Sequence, residues 1–271
     1  MKPAPFRYHR PQSLGEALAL LSGHPDARVI AGGQSLGPMM NMRLAQPAEL
    51  VDLNDLKNLS FVNEHENALE IGALTRHHAV ATSPLVRKHC PLLAEAAQTI
   101  GHYAIRSRGT LGGSLAHADP AAQLPLVAAT LGAEIAVAGK RGERRIAAKD
   151  FFVSLMSTAL EPDEILVSAR FPKAAPGERH AYLQFSRRQG DFAIVAVACT
   201  LLHQKLKIGI GGVEDKPVVL LDLEPSDPAA LGRAAREAVD PTENPRVPAL
   251  YRKELVEVLV KRCVAKCLTS S

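Results

Sequence analysis

The sequence has no tryptophan, and aromatic residues make up only 4% of its 271 positions. Without aromatics set among basic residues there is no platform for stacking bases, and a net charge of +4 is too mild for a phosphate-backbone footprint. Nucleic-acid binding is therefore not expected. Lys140 to Arg145 is the densest basic stretch, but Gly142 marks it as a hairpin loop. No apolar run approaches the ~18 residues of a membrane-spanning helix, and Met1-Lys2-Pro3-Ala4-Pro5-Phe6 lacks an apolar export signal. A cytoplasmic protein without a membrane span is expected. Cysteine is scarce too: Cys90, Cys199, Cys263 and Cys267 offer no zinc or iron–sulfur spacing, and the last two share one helix face. They read as reduced core or surface thiols. The familiar nucleotide fingerprints are also missing, with neither a Gly-x-x-x-x-Gly-Lys-Ser/Thr loop nor a Gly-x-Gly-x-x-Gly opening a helix.

What the chain does have is a 46% apolar content, enough for more than one core at this length, and two glycine-rich segments. These are Ala31-Gly32-Gly33-Gln34-Ser35 and Thr110-Leu111-Gly112-Gly113-Ser114. Both read as turns. Glycine allows positive φ and carries no Cβ, so successive backbone N–H groups can converge on an anion, and the closing hydroxyl adds a donor. Either segment alone also reads as a simple tight turn. As a pair they read as two jaws of one diphosphate cradle.

The remaining elements follow from periodicity and caps. Ser13 and Glu16 form a capping box ahead of a helix whose apolar face is Leu14, Ala17, Leu18 and Leu21. Strands are predicted at 27–31 and 49–53, with a Met-containing helix between them, and a hairpin over 61–71. Thr75 is expected to cap a helix through Ala81, and Pro91 to Ile100 reads as a helix ended by Gly101. Asp119 is either the N-cap of an apolar helix over 121–131 or a ligand contact. Strands at 133–138, 144–147 and 164–171 precede a linker from Pro172 to Gly177. Beyond it, antiparallel strands at 181–187, 192–202, 206–210 and 217–221 lead to two helices. The last of these has Leu255, Val258, Leu259 and Cys263 on one face. The overall pattern is α+β.

Ala31-Gly32-Gly33-Gln34-Ser35-Leu36 with Met39 to Leu44, Ile100-Gly101-His102, Arg108 to Pro120, Arg187-Arg188-Gln189-Gly190-Asp191-Phe192-Ala193, Gly211-Gly212-Val213 and Tyr251-Arg252 closely resemble the FAD-binding medium subunit of molybdenum hydroxylases. The resemblance implies a two-lobed FAD-binding domain of the vanillyl-alcohol-oxidase (PCMH) type followed by a C-terminal antiparallel-sheet-plus-helices domain. The implied units are 1–57, 58–174 and 175–271. It implies that Val29, Ile30, Ala31, Gly32, Gly33, Gln34, Ser35 and Leu36 form a first contact loop, and Thr110 with Gly112, Gly113 and Ser114 a second. Ile100 and Gly101 would line the flavin or its ribityl chain, and Leu166 would pack on the cofactor. Gln123 stands where the family usually has an acid on the adenosine ribose. Arg187 is expected to place charge near the isoalloxazine or to be a surface pair with Arg188, and Phe192 to cover a flavin face or to fill a strand core. His102 and His117 read as positioned loop residues.

The resemblance also implies partners: a large subunit with a molybdopterin-type molybdenum cofactor and a small one with [2Fe-2S] clusters, assembled as a dimer of heterotrimers. The function expected is electron transfer from those clusters through FAD to an external acceptor. The alternatives are a stand-alone FAD-dependent oxidoreductase of the same fold, and a non-catalytic nucleotide-binding module.

Overall fold

Ser13 starts the first helix as its spacing from Glu16 predicts. In the computed structural model, which describes residues 1–225 and 227–269, the Ser13 hydroxyl accepts the Glu16 N–H at 3.2 Å. The Glu16 carboxylate accepts from the Gln12 N–H at 2.7 Å, one residue earlier than in an ideal capping box. This helix, α1 (Leu14–Gly23), joins β1 (Arg7–His9) to β2 (Ala27–Ile30), and α2 (Leu36–Asn41) leads from β2 to β3 (Glu49–Asp52). The strands pair in parallel, in the order β1-β3-β2, because helical crossovers return each strand in the same direction.

A 3-10 turn (Lys57–Leu59) then opens the middle of the chain. It holds β4 (Val62–Glu64), β5 (Ala68–Gly72), the helices α3 (His77–Thr82), α4 (Pro84–His89), α5 (Pro91–Gln98), α6 (Tyr103–Arg106), α7 (Leu111–His117) and α8 (Gln123–Leu131), and the hairpin β6 (Glu134–Gly139) and β7 (Gly142–Ala147). After α9 (Ala148–Phe151) and the short β8 (Phe152–Ser154) and β9 (Ser157–Thr158), β10 (Ile165–Pro172) returns to the centre of an antiparallel sheet ordered β4-β5-β10-β6-β7. The C-terminal part is a second antiparallel sheet, β11 (Arg179–Phe185), β12 (Val195–Leu202), β13 (Lys205–Gly211) and β14 (Val218–Leu223), covered by α10 (Pro228–Ala238) and α11 (Ala249–Thr269).

Alternation along the central strands explains the stacking of these layers. In β6, Ala136 and Ala138 face the core shared with α1 and the parallel sheet, while Ile135 and Val137 face the helices. In β10, Ile165 and Val167 take the first side and Leu166 the second. A bulge between Leu166 and Ser168 then shifts the alternation, so that Ala169 and Phe171 stay on the helical side with Leu166. The C-terminal sheet repeats the pattern. Ala196 and Ala198 of β12 pack toward the helical layer, and Val195, Val197, Cys199 and Leu201 toward α10 and α11. Because both sheets are buried on both faces, their central strands read as continuous apolar runs.

Several local expectations are corrected. Thr75 caps no helix: Arg76 is the N-cap of α3, and the buried Thr75 hydroxyl instead donates to the Phe61 carbonyl at 2.9 Å. Of the two roles expected of Asp119, only the N-cap is corrected, since it accepts the Ala121 N–H at 2.9 Å in a turn ahead of α8, whose N-cap is Ala122. On α11 the buried face runs through Val256, Leu259, Val260, Cys263, Val264 and Cys267, with Val258 exposed. The linker is tied down, since Lys173 and Ala174 donate to the carbonyls of Asn67 and His89.

Candidate cofactor cleft

Both glycine segments open onto one cleft of about 600 Å³, within the usual size of a small-molecule site. Every residue expected at the site lines it except Arg187.

The first segment is the turn its composition predicts. It leaves β2 and enters α2, and Gly33 adopts φ +68°, a left-handed conformation that glycine takes without strain. A Cβ on Gly32 would collide with the Arg108 carbonyl, so the first segment lies directly on the chain leading to the second. Among the described residues, none of the backbone N–H groups of 32–35 donates a hydrogen bond; the only bond made within the turn is from Gln34 Nε2 to the Gly32 carbonyl at 2.9 Å. Residues 32–35 are half-buried, and four consecutive open donors at a cleft suit an oxygen-rich anion.

The second segment is not a turn. Thr110 is the N-cap of α7, its hydroxyl oxygen accepting the Gly113 N–H at 3.1 Å, and both glycines are helical with no positive φ. The N–H groups here are already engaged: Leu111 donates to the Thr75 carbonyl at 2.9 Å, Gly112 to Ala73 at 2.8 Å and Ser114 to Thr110 at 3.0 Å. Glycine is needed for another reason, because a Cβ on Gly112 would stand 2.6 Å from the Ala73 Cβ. The second segment thus supplies a closely packed wall and two hydroxyls, Thr110 and Ser114, rather than a row of free amides.

His77 lines the cleft and was not singled out from the sequence. It is buried, and its Nε2–H donates to the Thr110 carbonyl at 2.8 Å. Burial, with smaller contributions from Arg106 and Arg76, lowers its pKa to about 4, so the ring is neutral at pH 7. No local pattern marks His77; only the bridge between Arg76 and Thr110 brings it under the second segment.

At one end of the cleft Gln123 is buried, with Nε2 donating to Gln184 Oε1 at 3.1 Å. The same oxygen accepts from Tyr182 Oη at 2.8 Å and Thr99 Oγ1 at 3.1 Å, so the C-terminal sheet fixes the orientation of Gln123. Elsewhere, Ile100 and Gly101 present a backbone shaped by Arg106, whose Nη1 donates to both of their carbonyls at 2.8 Å. Leu166 lines the floor, just before the bulge.

Phe192 stands at the cleft, 57% exposed as a residue, and β12 starts only at Val195, so it fills no strand core. Gly190 and Asp191 join it there. Arg187 goes elsewhere: past the end of β11 it donates to the Arg246 carbonyl at 2.8 Å, and Arg188 is likewise absent from the cleft wall. Neither charge is placed where the cleft could use it directly. Of the two loop histidines, His117 lines the cleft and His102 packs against Gly190.

The four cysteines are buried, and burial pushes the Cys90 and Cys267 thiols up to about 12 and 11. No helix among the described residues is long and apolar enough to cross a membrane.

Comparison with known proteins gives this architecture its family. Residues 4–174 match the FAD binding domain in molybdopterin dehydrogenase, and residues 180–267 match the CO dehydrogenase flavoprotein C-terminal domain. The chain is 39% identical to the 6-hydroxypseudooxynicotine dehydrogenase complex subunit alpha of Paenarthrobacter nicotinovorans, covering 99% of this chain and 96% of that one. It is 34% identical to the glyceraldehyde dehydrogenase medium chain of Sulfolobus acidocaldarius, over 97% and 98% of the two chains. Among solved structures it is similar to reconstituted CO dehydrogenase from Oligotropha carboxidovorans, with a TM-score of 0.94, 34% identity and 100% of both chains covered. Quinoline 2-oxidoreductase from Pseudomonas putida matches with a TM-score of 0.93, 34% identity and 98% of both chains covered. With both parts of the chain matched in order and relatives aligned over nearly their whole length, the protein belongs to the family of FAD-binding subunits of molybdopterin dehydrogenases of the carbon monoxide dehydrogenase medium-chain type.

Proposed function

We propose that this chain is the electron-transfer subunit of a molybdenum-containing hydroxylase or dehydrogenase. It would hold FAD between [2Fe-2S] clusters of a small partner subunit and an external electron acceptor, with substrate oxidised at a molybdenum cofactor in a large partner subunit. The observation that carries the reading is the row of open N–H groups at 32–35, in residues that line one cleft together with Thr110 and Ser114. These residues fit a diphosphate, and the rest of the wall fits the other parts of the same cofactor. Ile100, Gly101 and Leu166 offer apolar contact for a flavin ring or its ribityl chain, Gln123 a polar end for the ribose, and Phe192 a cover.

FAD, when bound, supplies a carrier that accepts and releases electrons one or two at a time. The protein's part is to bind and orient it. The neutral His77 places no positive charge under the second segment, and Gln123 is held by Gln184. No side chain is assigned a proton-transfer role, because electron relay through a flavin needs none.

The units 1–57, 58–174 and 175–271, a cytoplasmic location and assembly as a dimer of heterotrimers complete the proposal. The shared core of β6 and β10 with α1 supports treating the first two units as lobes of one domain. The test is co-purification of the chain with its partners, followed by addition of candidate substrates. Bleaching of the flavin only in the complex is the expected result. Robust turnover of organic donors by the isolated chain would favour a stand-alone oxidoreductase, and failure of the isolated chain to take up FAD would leave the cleft without its cofactor.

A further inference from the structure

The two glycine segments are joined by side chains that do not themselves line the cleft. Residues 75–77 run beside 109–111 and are bonded on both sides, His77 N–H to the Gly109 carbonyl and Leu111 N–H to the Thr75 carbonyl, each at 2.9 Å. Between these bonds Arg76 turns toward the first segment. Its Nη1 donates to the Arg108 carbonyl and its Nη2 to Asn54 Oδ1 at 2.7 Å. Asn54 in turn donates Nδ2 to the Ala31 carbonyl at 2.7 Å, and its backbone N–H is steadied by Asp52 Oδ1 at 2.8 Å. One continuous chain of hydrogen bonds thus runs from Ala31 through Asn54 and Arg76 to Arg108, at the point where Gly32 rests on the Arg108 carbonyl.

We propose that Arg76 and Asn54 form a strap that fixes the spacing of the two glycine segments and so preorganises the N–H groups of 32–35 for the FAD diphosphate. They are positioning residues. The inference rests on the FAD reading above and adds to it a cause for the cradle's geometry. The planar guanidinium holds its two donors in fixed directions, one toward a backbone carbonyl and one toward an amide oxygen, which a flexible lysine ammonium does not, so this position suits arginine better than lysine. The strap also explains how a turn with so many unpaired amides holds its shape in the absence of ligand: order is imposed from behind, through a carbonyl, without occupying the donors that face the cleft.

The test measures FAD affinity of the apo full-length chain by flavin fluorescence, for wild type, Arg76→Met, Asn54→Ala, the double variant and Arg76→Lys. Each single variant is expected to raise Kd about tenfold, the size of one well-placed hydrogen bond of a charged group. Because the two residues are links of one chain, the double variant should bind about as weakly as the weaker single variant. Arg76→Lys, which keeps the charge and loses the fork, should stay close to Arg76→Met. Wild-type affinity in either single variant, additive losses in the double variant, or full rescue by lysine would each overturn the strap. So would a lowered melting temperature of the apo protein with Kd unchanged, which is the signature of a purely structural role. If Arg76→Met does not fold, Asn54→Ala and Arg76→Lys carry the same test. Failure of the wild type to bind FAD would instead overturn the FAD reading itself.

Discussion

The two glycine segments look alike in sequence and do opposite things in the fold. Gly32 and Gly33 sit in an open turn with free N–H groups, and Gly33 needs its positive φ. Gly112 and Gly113 begin a helix whose amides are already bonded, and Gly112 is glycine because Ala73 leaves no space for a side chain. The first dipeptide thus combines thinness at Gly32, against the Arg108 carbonyl, with conformational freedom at Gly33, whereas the second uses thinness alone. Dihedral and packing constraints respond differently to substitution, so the comparison can be broken experimentally.

The largest effect is expected at Gly112. Replacing it with Val drives a branched side chain into Ala73, and overpacking of this kind destabilises by about 1–3 kcal/mol. Gly112→Val should therefore lose FAD together with apo-protein stability, read by thermal unfolding. An unchanged melting temperature would contradict the close-packed role.

Next in size is an acid sensitivity built into the support of the second segment. His77 has a folded pKa of about 4 against an ordinary 6.5, so the folded state binds fewer protons and its stability falls as pH drops from 6.5 toward 4. Between about pH 7.5 and pH 5 the loss from this one group is about 2 kcal/mol. His77→Gln should flatten that part of the pH profile in denaturant titrations, and an identical profile in the variant would mean the ring is not held neutral.

Gly33→Ala probes the first segment. A left-handed backbone costs a non-glycine residue ~1–2 kcal/mol, and the turn can relax when empty, so FAD affinity should drop about tenfold. Because the turn is relieved in the free protein, the apo melting temperature should barely move. A large stability loss there would erase the distinction between the two segments.

The smallest change expected in ligand binding is at Gln123. The usual acid would set a carboxylate against Gln184 Oε1, and if the Gln184 amide turned over, its two N–H donors could serve the acid and only one of the Tyr182 and Thr99 hydroxyls. Gln123→Glu should leave the FAD dissociation constant within about threefold and lower stability by about 1–3 kcal/mol, the penalty of an unmatched buried acceptor. Clear tightening would show that the side chain turns away from Gln184 toward the ribose.

Much of this was legible in the chain because the signals are local. The Ser13 and Glu16 caps, the apolar run of β12, the hairpin at Gly142 and the first glycine turn each depend on a few neighbouring residues. The misreadings share one cause, which is that tertiary partners took over a local choice. Thr75 found the Phe61 backbone instead of a helix start, and Thr110 made a helix of a glycine pair that reads as a turn. Arg187, adjacent in sequence to a segment that reaches the cleft, turned to the Arg246 carbonyl. His77 and Arg76 carried no signal because their roles come from a bridge to residues far along the chain.

By itself the sequence determined the α+β class, the order of the main strands and longer helices, the family and the segments that line the cleft from 29 to 36 and from 110 to 114, since apolar period, caps and motif wording are written in adjacent positions. Only the tertiary structure decided which glycines free the backbone and which make room, where Arg187 points, and that Arg76 and Asn54 tie the two segments together. Those outcomes depend on which carbonyl, ring or Cβ stands a few ångströms away, and that neighbour is set by the packing of layers rather than by the residues on either side in the chain.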